Sequence, residues 1–400
     1  MGAYKMTEHY ILLQRILGIG SKKVKKVIEK YHGAEAVFEQ NYDDLRLCGL
    51  FTALQTEKIK KADMNYARKV LNDCNNSGIA VIPFASVMYP ALLAEIPDPP
   101  LVLYAKGNLD LLNEPAICIV GPRKVTEFGK KAAFSLSARL AAGGFTVVSG
   151  GAVGSDTAVH LGALAVEGNT ICVYPSGLNS SYLKANKELR DKIAANGLLI
   201  SECPPDTELM RGMIPVRNRI MSGISVGVAV VEAPIKSGAL ITANMAAEQN
   251  RDVFAVPGEI TNINCEGSNK LIEDGAVPLT DARIIFSEYE RRFEGKLNAE
   301  KAYGRHIIKP AAKANTESEP KTEKTPPQKE NKPENIQKNI NYSLSKTAEM
   351  VYNNLDKQNF SLDEISRGNL TTGEILAAIT ELEIKGAIRA VPGGRYEIKN

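Results

Sequence analysis

The sequence predicts an α/β fold built on a doubly wound, mostly parallel sheet. Two observations predict it. Short, β-branched apolar runs, continuous rather than alternating, occur at residues 116–120, 145–148, 170–174, 198–201, 226–231 and 253–256. Strands buried on both faces have this pattern. Amphipathic helical stretches, such as 130–142 and 157–167, lie between the runs. Strand–helix alternation of this kind specifies the fold class. The 400 residues leave room for further domains, at about 150 residues each.

Residues 1–82 read as a small helical domain. After Leu17-Gly18-Ile19-Gly20, residues Val24, Val27, Ile28 and Tyr31 share one helical face, and Lys22, Lys23, Lys25, Lys26 and Lys30 fill the other. A Gly-x-Gly turn followed by lysines resembles a helix–hairpin–helix, whose backbone N–H groups meet phosphate. A solvated charged face accounts for the same lysines. Between residues 82 and 112, Pro83, Pro90, Pro97, Pro99 and Pro100 predict an extended connector with short strands. The α/β domain is expected over 83–298 and a disordered linker over 299–344, because Pro, Lys, Glu, Asn and Thr dominate from 309 to 341. Apolar periodicity returns in 345–400, with helices expected at 347–355, 362–365 and 372–385 and a hairpin around Pro392-Gly393-Gly394. Three helices and a hairpin predict a winged helix.

Composition excludes several classes. Lys+Arg number 49 against 46 Asp+Glu, so any anion site is built by placement and not by bulk charge. Aromatic residues are 6% and Trp is absent, which argues against an aromatic base-stacking surface. No apolar run reaches the roughly 20 residues of a membrane span, and the N-terminus lacks a signal-peptide core. The cysteines (Cys48, Cys74, Cys118, Cys172, Cys203, Cys265) form no C-x-x-C pair, which fits a reducing cytoplasm. His9, His32, His160 and His306 are thin material for a metalloenzyme.

Ligands of an open α/β sheet bind at the carboxyl ends of its strands. There the sequence places Gly121-Pro122-Arg123, then Ser149-Gly150-Gly151 with Gly154, then Lys184, and finally Ser237-Gly238 with Thr242. Arg211 and the run Arg217-Asn218-Arg219 stand between the fourth and fifth strands. Glycines let a backbone approach phosphate, and hydroxyls and arginines add donors. Singly, each loop is also explained as a tight turn. Together they predict one phosphate-binding rim.

A free nucleotide fits poorly. There is no G-x-x-x-x-G-K-[ST]. Ser149 stands where a dinucleotide loop has its first Gly, and Tyr174-Pro175 offers no carboxylate for a ribose. The strand-end carboxylates Glu202 and Glu232, and Asp156 with His160, admit an acid–base or metal reading. The plainer alternative has Asp156 capping a helix and His160 packing on it. No nucleophile elbow occurs.

Taken in order, these loops resemble the bacterial DNA-processing protein A family, called DprA or Smf. The motifs run from Tyr89-Pro90 and Pro99-Pro100 through Gly121-Pro122-Arg123, Ser149-Gly150 with Gly154 and His160, Gly177-Leu178-Asn179, Ser201-Glu202, Arg217-Asn218-Arg219, Ser237-Gly238 and Gly267-Ser268 to Gly275-Ala276. The resemblance implies an extended Rossmann-like fold that binds single-stranded DNA as a homodimer. It further implies loading of the RecA recombinase onto that DNA in natural transformation, with no catalytic activity and no cofactor. Arg123 would make a phosphate contact, Arg211 falls near a lysine of many relatives, and Arg217 and Arg219 would complete the pocket or brace its loop. Val153 stands where the family commonly has arginine, Pro122 where it has Ser or Thr, Leu183 where it has proline and Ile214 where an aromatic is frequent. Binding is therefore expected to lean on phosphates and to be salt-sensitive.

Residues 361–386 hold five acids and two bases, so the winged helix is expected to meet protein rather than duplex DNA. Two rival functions remain. One is a nucleotide-processing hydrolase on a related fold, whose P-G-G-x-G-T-x-x-E signature stops here at Pro257-Gly258-Glu259. The other is an adaptor with a vestigial pocket.

Overall fold

The computed structural model describes residues 2–182, 186–304, 344–353, 355, 359–361, 372–385, 387–391 and 395–398. Lys184, most of the expected linker and the expected helix at 362–365 lie outside them. The chain divides into two compact units, Met1–Lys313 and Ala314–Asn400.

The first unit is organised by a nine-stranded sheet. Its strands are β1 (Ala80–Pro83), β2 (Val102–Gly107), β3 (Ala116–Val120), β4 (Thr146–Ser149), β5 (Thr170–Tyr174), β6 (Leu198–Ser201), β7 (Gly227–Val230), β8 (Asp252–Ala255) and β9 (Val277–Pro278). They lie in the order β1-β2-β6-β5-β4-β3-β7-β8-β9. From β6 to β9 every pairing is parallel. All six expected runs are strands, displaced by at most a residue or two at their ends. The proline-rich connector supplies β1 and β2, which extend the sheet antiparallel from β6. A sheet edge tolerates proline because one side of the strand needs no donor, and Pro83 ends the edge strand β1.

Successive side chains of β3 point to opposite faces. Cys118 and Val120 join Ile220, Met221, Ala239 and Ala243 in one core. Ile117 and Ile119 join Leu136, Leu140, Val159 and Phe286 in another. Helices Met213–Gly223 and Gly238–Glu248 thus cover one face, and Glu127–Ala142 and Ser155–Ala165 the other. The chain runs β3, β4, β5, β6 to one side and returns to place β7 beside β3. That reversal is a topological switch point, where a crevice opens beyond the strand ends.

The N-terminal helices share a core with the sheet. Tyr10, Leu13, Val27 and Val70 cluster with Val102, Tyr104, Cys172 and Leu199. Gln14 Nε2 donates to Val102 O at 3.2 Å. All six cysteines are free, and all but the half-buried Cys48 are buried. Among the described residues no helix is long and apolar enough to cross a membrane.

The second unit has helices Lys346–Asn353 and Thr372–Ile384 and a three-stranded antiparallel sheet, β10 (Asn359–Ser361), β11 (Ile388–Val391) and β12 (Arg395–Ile398). The expected hairpin pairs Ile388 with Ile398 and Val391 with Arg395. Val351, Tyr352, Ile375, Ile379, Leu382, Ile388 and Ile398 form its core.

Candidate nucleic-acid interface

A cleft of about 320 Å³ opens at the switch point between β3 and β7. The turn after β3 contributes Gly121, Pro122 and Arg123, the turn after β4 and the start of the next helix Ala152, Val153 and Asp156, and the turn after β7 with the first helical turns beyond it Pro234, Lys236, Ser237, Gly238, Ala239 and Thr242. One face of helix Met213–Gly223 adds Ile214, Arg217, Asn218 and Met221.

The first two turns interlock. Ser155 donates from Oγ and from its backbone N–H to Pro122 O, at 3.1 and 3.2 Å. A Cβ on Gly121 would stand 2.4 Å from Ser155 Oγ. Gly154 has φ +96°, and a Cβ there would stand 2.3 Å from Arg123 O. Glycine is required at both positions. The interlock fixes Arg123 at the cleft mouth, where its exposed guanidinium donates to Tyr182 Oη at 3.4 Å.

Two helix N-termini point into the cleft. Asp156 lies in the first turn of helix Ser155–Ala165, and Gly238 and Ala239 begin helix Gly238–Glu248, which Ser237 caps by accepting from Leu240 N. Helix N-termini carry partial positive charge and favour anions. Thr242 Oγ1 and Asn218 Nδ2 both donate to Gly238 O, at 3.2 and 3.4 Å, and so hold this turn.

Arg217 is buried beneath the glycine loop. Its Nη1 donates to Val173 O, and a Cβ on Gly150 would strike its guanidinium. Its Nε has no partner among the described residues. The charge acts on Asp156, whose Oδ2 accepts from Ala152 N at 3.2 Å. Burial raises the Asp156 carboxyl above its ordinary value against the pull of Arg217. Arg217 therefore balances an internal carboxylate as well as facing the cleft.

Other expected site residues lie elsewhere. Ser149 is buried, with Oγ donating to Ile119 O at 2.9 Å, so it ties β4 to β3. A Cβ on Gly151, whose φ is +73°, would meet Cys172 Sγ, and Gly151 lies outside the cleft lining. Arg211 is exposed one residue before Gly212, the N-cap of helix Met213–Gly223. Arg219 turns away from the cleft to Glu202 and Asp98, at 2.5 and 3.6 Å. The exposed Lys236 lines the cleft and was not expected from sequence; a lone lysine beside the Ser237-Gly238 turn was its only signal.

The strand-end carboxylates are engaged structurally. Glu202 takes Arg219 and the Gly20 N–H, and Glu232 takes the backbone N–H and hydroxyl of Thr126. Asp156 does not cap its helix, since Gly154 holds that position. His160 is buried beside Thr170, with Nδ1 to Oγ1 at 2.8 Å. No group of three or more His, Cys, Asp or Glu able to hold a metal occurs among the described residues.

Comparison with known proteins places this geometry in a family. The family model described as DNA recombination-mediator protein A matches residues 59–290, and the DprA winged helix domain matches residues 337–394. The DNA processing protein DprA of Bacillus subtilis is 42% identical over 225 residues, which cover 56% of this chain and 76% of the relative. The Streptococcus pneumoniae DNA processing protein DprA is 34% identical over 289 residues, covering 72% of this chain and 99% of the relative. The X-ray structure of DNA processing protein A from S. pneumoniae matches with a TM-score of 0.63 at 34% identity, covering 71% of this chain and 98% of that one. The chain belongs to the DNA recombination-mediator protein A family, DprA or Smf.

Proposed function

We propose that this chain binds single-stranded DNA in the cleft between β3 and β7 and delivers it, as a homodimer, to a RecA-type recombinase. Transformation and homologous recombination in the cytoplasm are the setting of this reading. The observation that carries it is the pairing of two helix N-termini with the exposed cations Arg123 and Lys236 around an open mouth. Such a mouth admits a polymer that enters and leaves, and its donors address phosphates, which every sequence shares. The apolar wall of Ile214, Met221 and Ala239 gives a base a surface to lie against without aromatic stacking.

Fluorescence anisotropy with single-stranded and duplex oligonucleotides across a salt series tests the reading. Wild type is expected to prefer the single strand, with the logarithm of its affinity falling linearly with the logarithm of the salt concentration. Arg123→Ala is expected to weaken binding about 5-fold near 0.1 M salt and to flatten the slope by about 0.7. Equal affinity for duplex, or an Arg123→Ala variant indistinguishable from wild type, overturns it. Nucleotide hydrolysis by the wild type would move the cleft to the enzyme reading.

A further inference from the structure

The N-terminal hairpin carries a basic face that the cleft does not account for. Helix Gly2–Leu17 ends in the Gly18-Ile19-Gly20 turn, and helix Val24–Tyr31 follows. Val24 and Val27 are buried, while Lys22, Lys26 and Lys30 are exposed and Lys23 and Lys25 half-buried. None of the five ammoniums lies within 4.0 Å of a carboxylate among the described residues. Asp98 feels the charge of Lys22, and it and Glu202, which accepts from the Gly20 N–H, are both engaged by Arg219. Lys25 donates to a backbone carbonyl, Glu95 O, at 3.2 Å.

This face is held rigidly to the wall of the cleft. Gly20 N donates to Glu202 Oε1 at 3.1 Å, and Glu202 takes Arg219 of helix Met213–Gly223. A Cβ on Gly20 would stand 2.5 Å from Val216 Cγ1 on the same helix. The Gly20 N–H is thus spent on Glu202 and not open to phosphate, contrary to the simple helix–hairpin–helix reading. The exposed Lys22, Lys26 and Lys30 remain open to solvent. One helix therefore presents Ile214 and Arg217 to the cleft and Val216 and Arg219 to the hairpin side, with exposed Arg211 just before its start.

We infer that Lys22 and Lys26 form a second phosphate-contact surface for the DNA strand held in the cleft, reached across the N-terminal end of helix Met213–Gly223. This rests on the cleft binding single-stranded DNA. A short strand fills the cleft alone, and a longer one continues past Arg211 onto the lysines. Unpaired surface cations gain from releasing counterions of a bound strand, whatever its sequence.

The test compares full-length wild type with the double variant Lys22→Gln/Lys26→Gln. Both positions are exposed, so the fold is expected to survive. Oligodeoxythymidylates of about 5 and about 30 nucleotides are titrated across a salt series. The short strand is expected to bind both proteins equally. For the long strand the variant is expected to lose on the order of 25-fold near 0.1 M salt, with the slope reduced by about 0.7 per lysine. Equal long-strand affinity and slope overturns the second surface and leaves the cleft reading intact. Failure of wild type to bind either strand overturns both.

Discussion

Arg219 Nη2 and Glu202 Oε2 stand 2.5 Å apart, both side chains buried, where the N-terminal hairpin meets the cleft helix. Burial, with the charge of Asp98 added, raises the Glu202 carboxyl, and Arg219 with the Gly20 N–H opposes it. The pair is therefore a joint between two parts of the first unit and not a ligand contact. Removing either partner leaves the other charge buried. Glu202→Ala and Arg219→Ala are each expected to cost about 3–5 kcal/mol in chemical denaturation, and the double variant less than their sum. A loss under about 1 kcal/mol for both singles would contradict this account.

Arg217 and Arg219 show where reading the sequence reached its limit. Two residues apart on a helix, they point about 200° away from each other, so only one can face a given cleft. The motif alone does not say which. The strands were legible because β-branched runs buried on both faces leave a continuous apolar signature. Strands β1 and β2 were less so, since prolines mask them and their place in the sheet depends on a long-range antiparallel pairing with β6. Lys236 was missed because one lysine carries no pattern. Gly121 and Gly154 were found as anion-loop glycines, yet their immediate role is to let two turns interlock.

Gly154→Ala tests that interlock. The backbone conformation alone costs a side-chain-bearing residue about 1–3 kcal/mol. The added Cβ also meets Arg123 O at 2.3 Å, so the turn that carries Arg123 must shift. Stability and DNA affinity are expected to fall together, whereas Arg123→Ala, at an exposed side chain, is expected to lower affinity alone. Thermal unfolding and anisotropy on the same samples separate the two. A Gly154→Ala variant with wild-type stability and affinity would refute the requirement for glycine.

Val153 lines the cleft and is 42% exposed, an apolar side chain on a rim of donors. Replacing it with arginine places a charge at the mouth without entering the core. Val153→Arg is expected to tighten single-strand binding about 5-fold near 0.1 M salt and to steepen the salt slope by about 0.7. Unchanged affinity would mean that the bound strand does not pass this edge of the cleft.

His160, outside the cleft lining, gives the first unit a pH dependence of its own. Thr170 Oγ1 donates its single proton to Val147 O at 2.8 Å, so His160 Nδ1 must donate to Thr170 Oγ1. Nε2 is then the basic nitrogen, buried and without a partner among the described residues. Burial, with the Arg217 charge added, lowers the imidazole from 6.5 to about 3. The unfolded chain binds the proton first, so stability is complete above about 6.5 and is lost as the pH falls toward 3. The contribution is at most about 1.4 kcal/mol per pH unit in that window. Asp156, raised by burial, acts in the opposite direction above its ordinary 3.8. Comparing wild type with His160→Gln cancels the Asp156 contribution. The stability difference between the two is expected to shrink on acidification from pH 7 to pH 5, as wild type loses what the variant never had. A difference that stays constant across that range would show that His160 is not held neutral by burial.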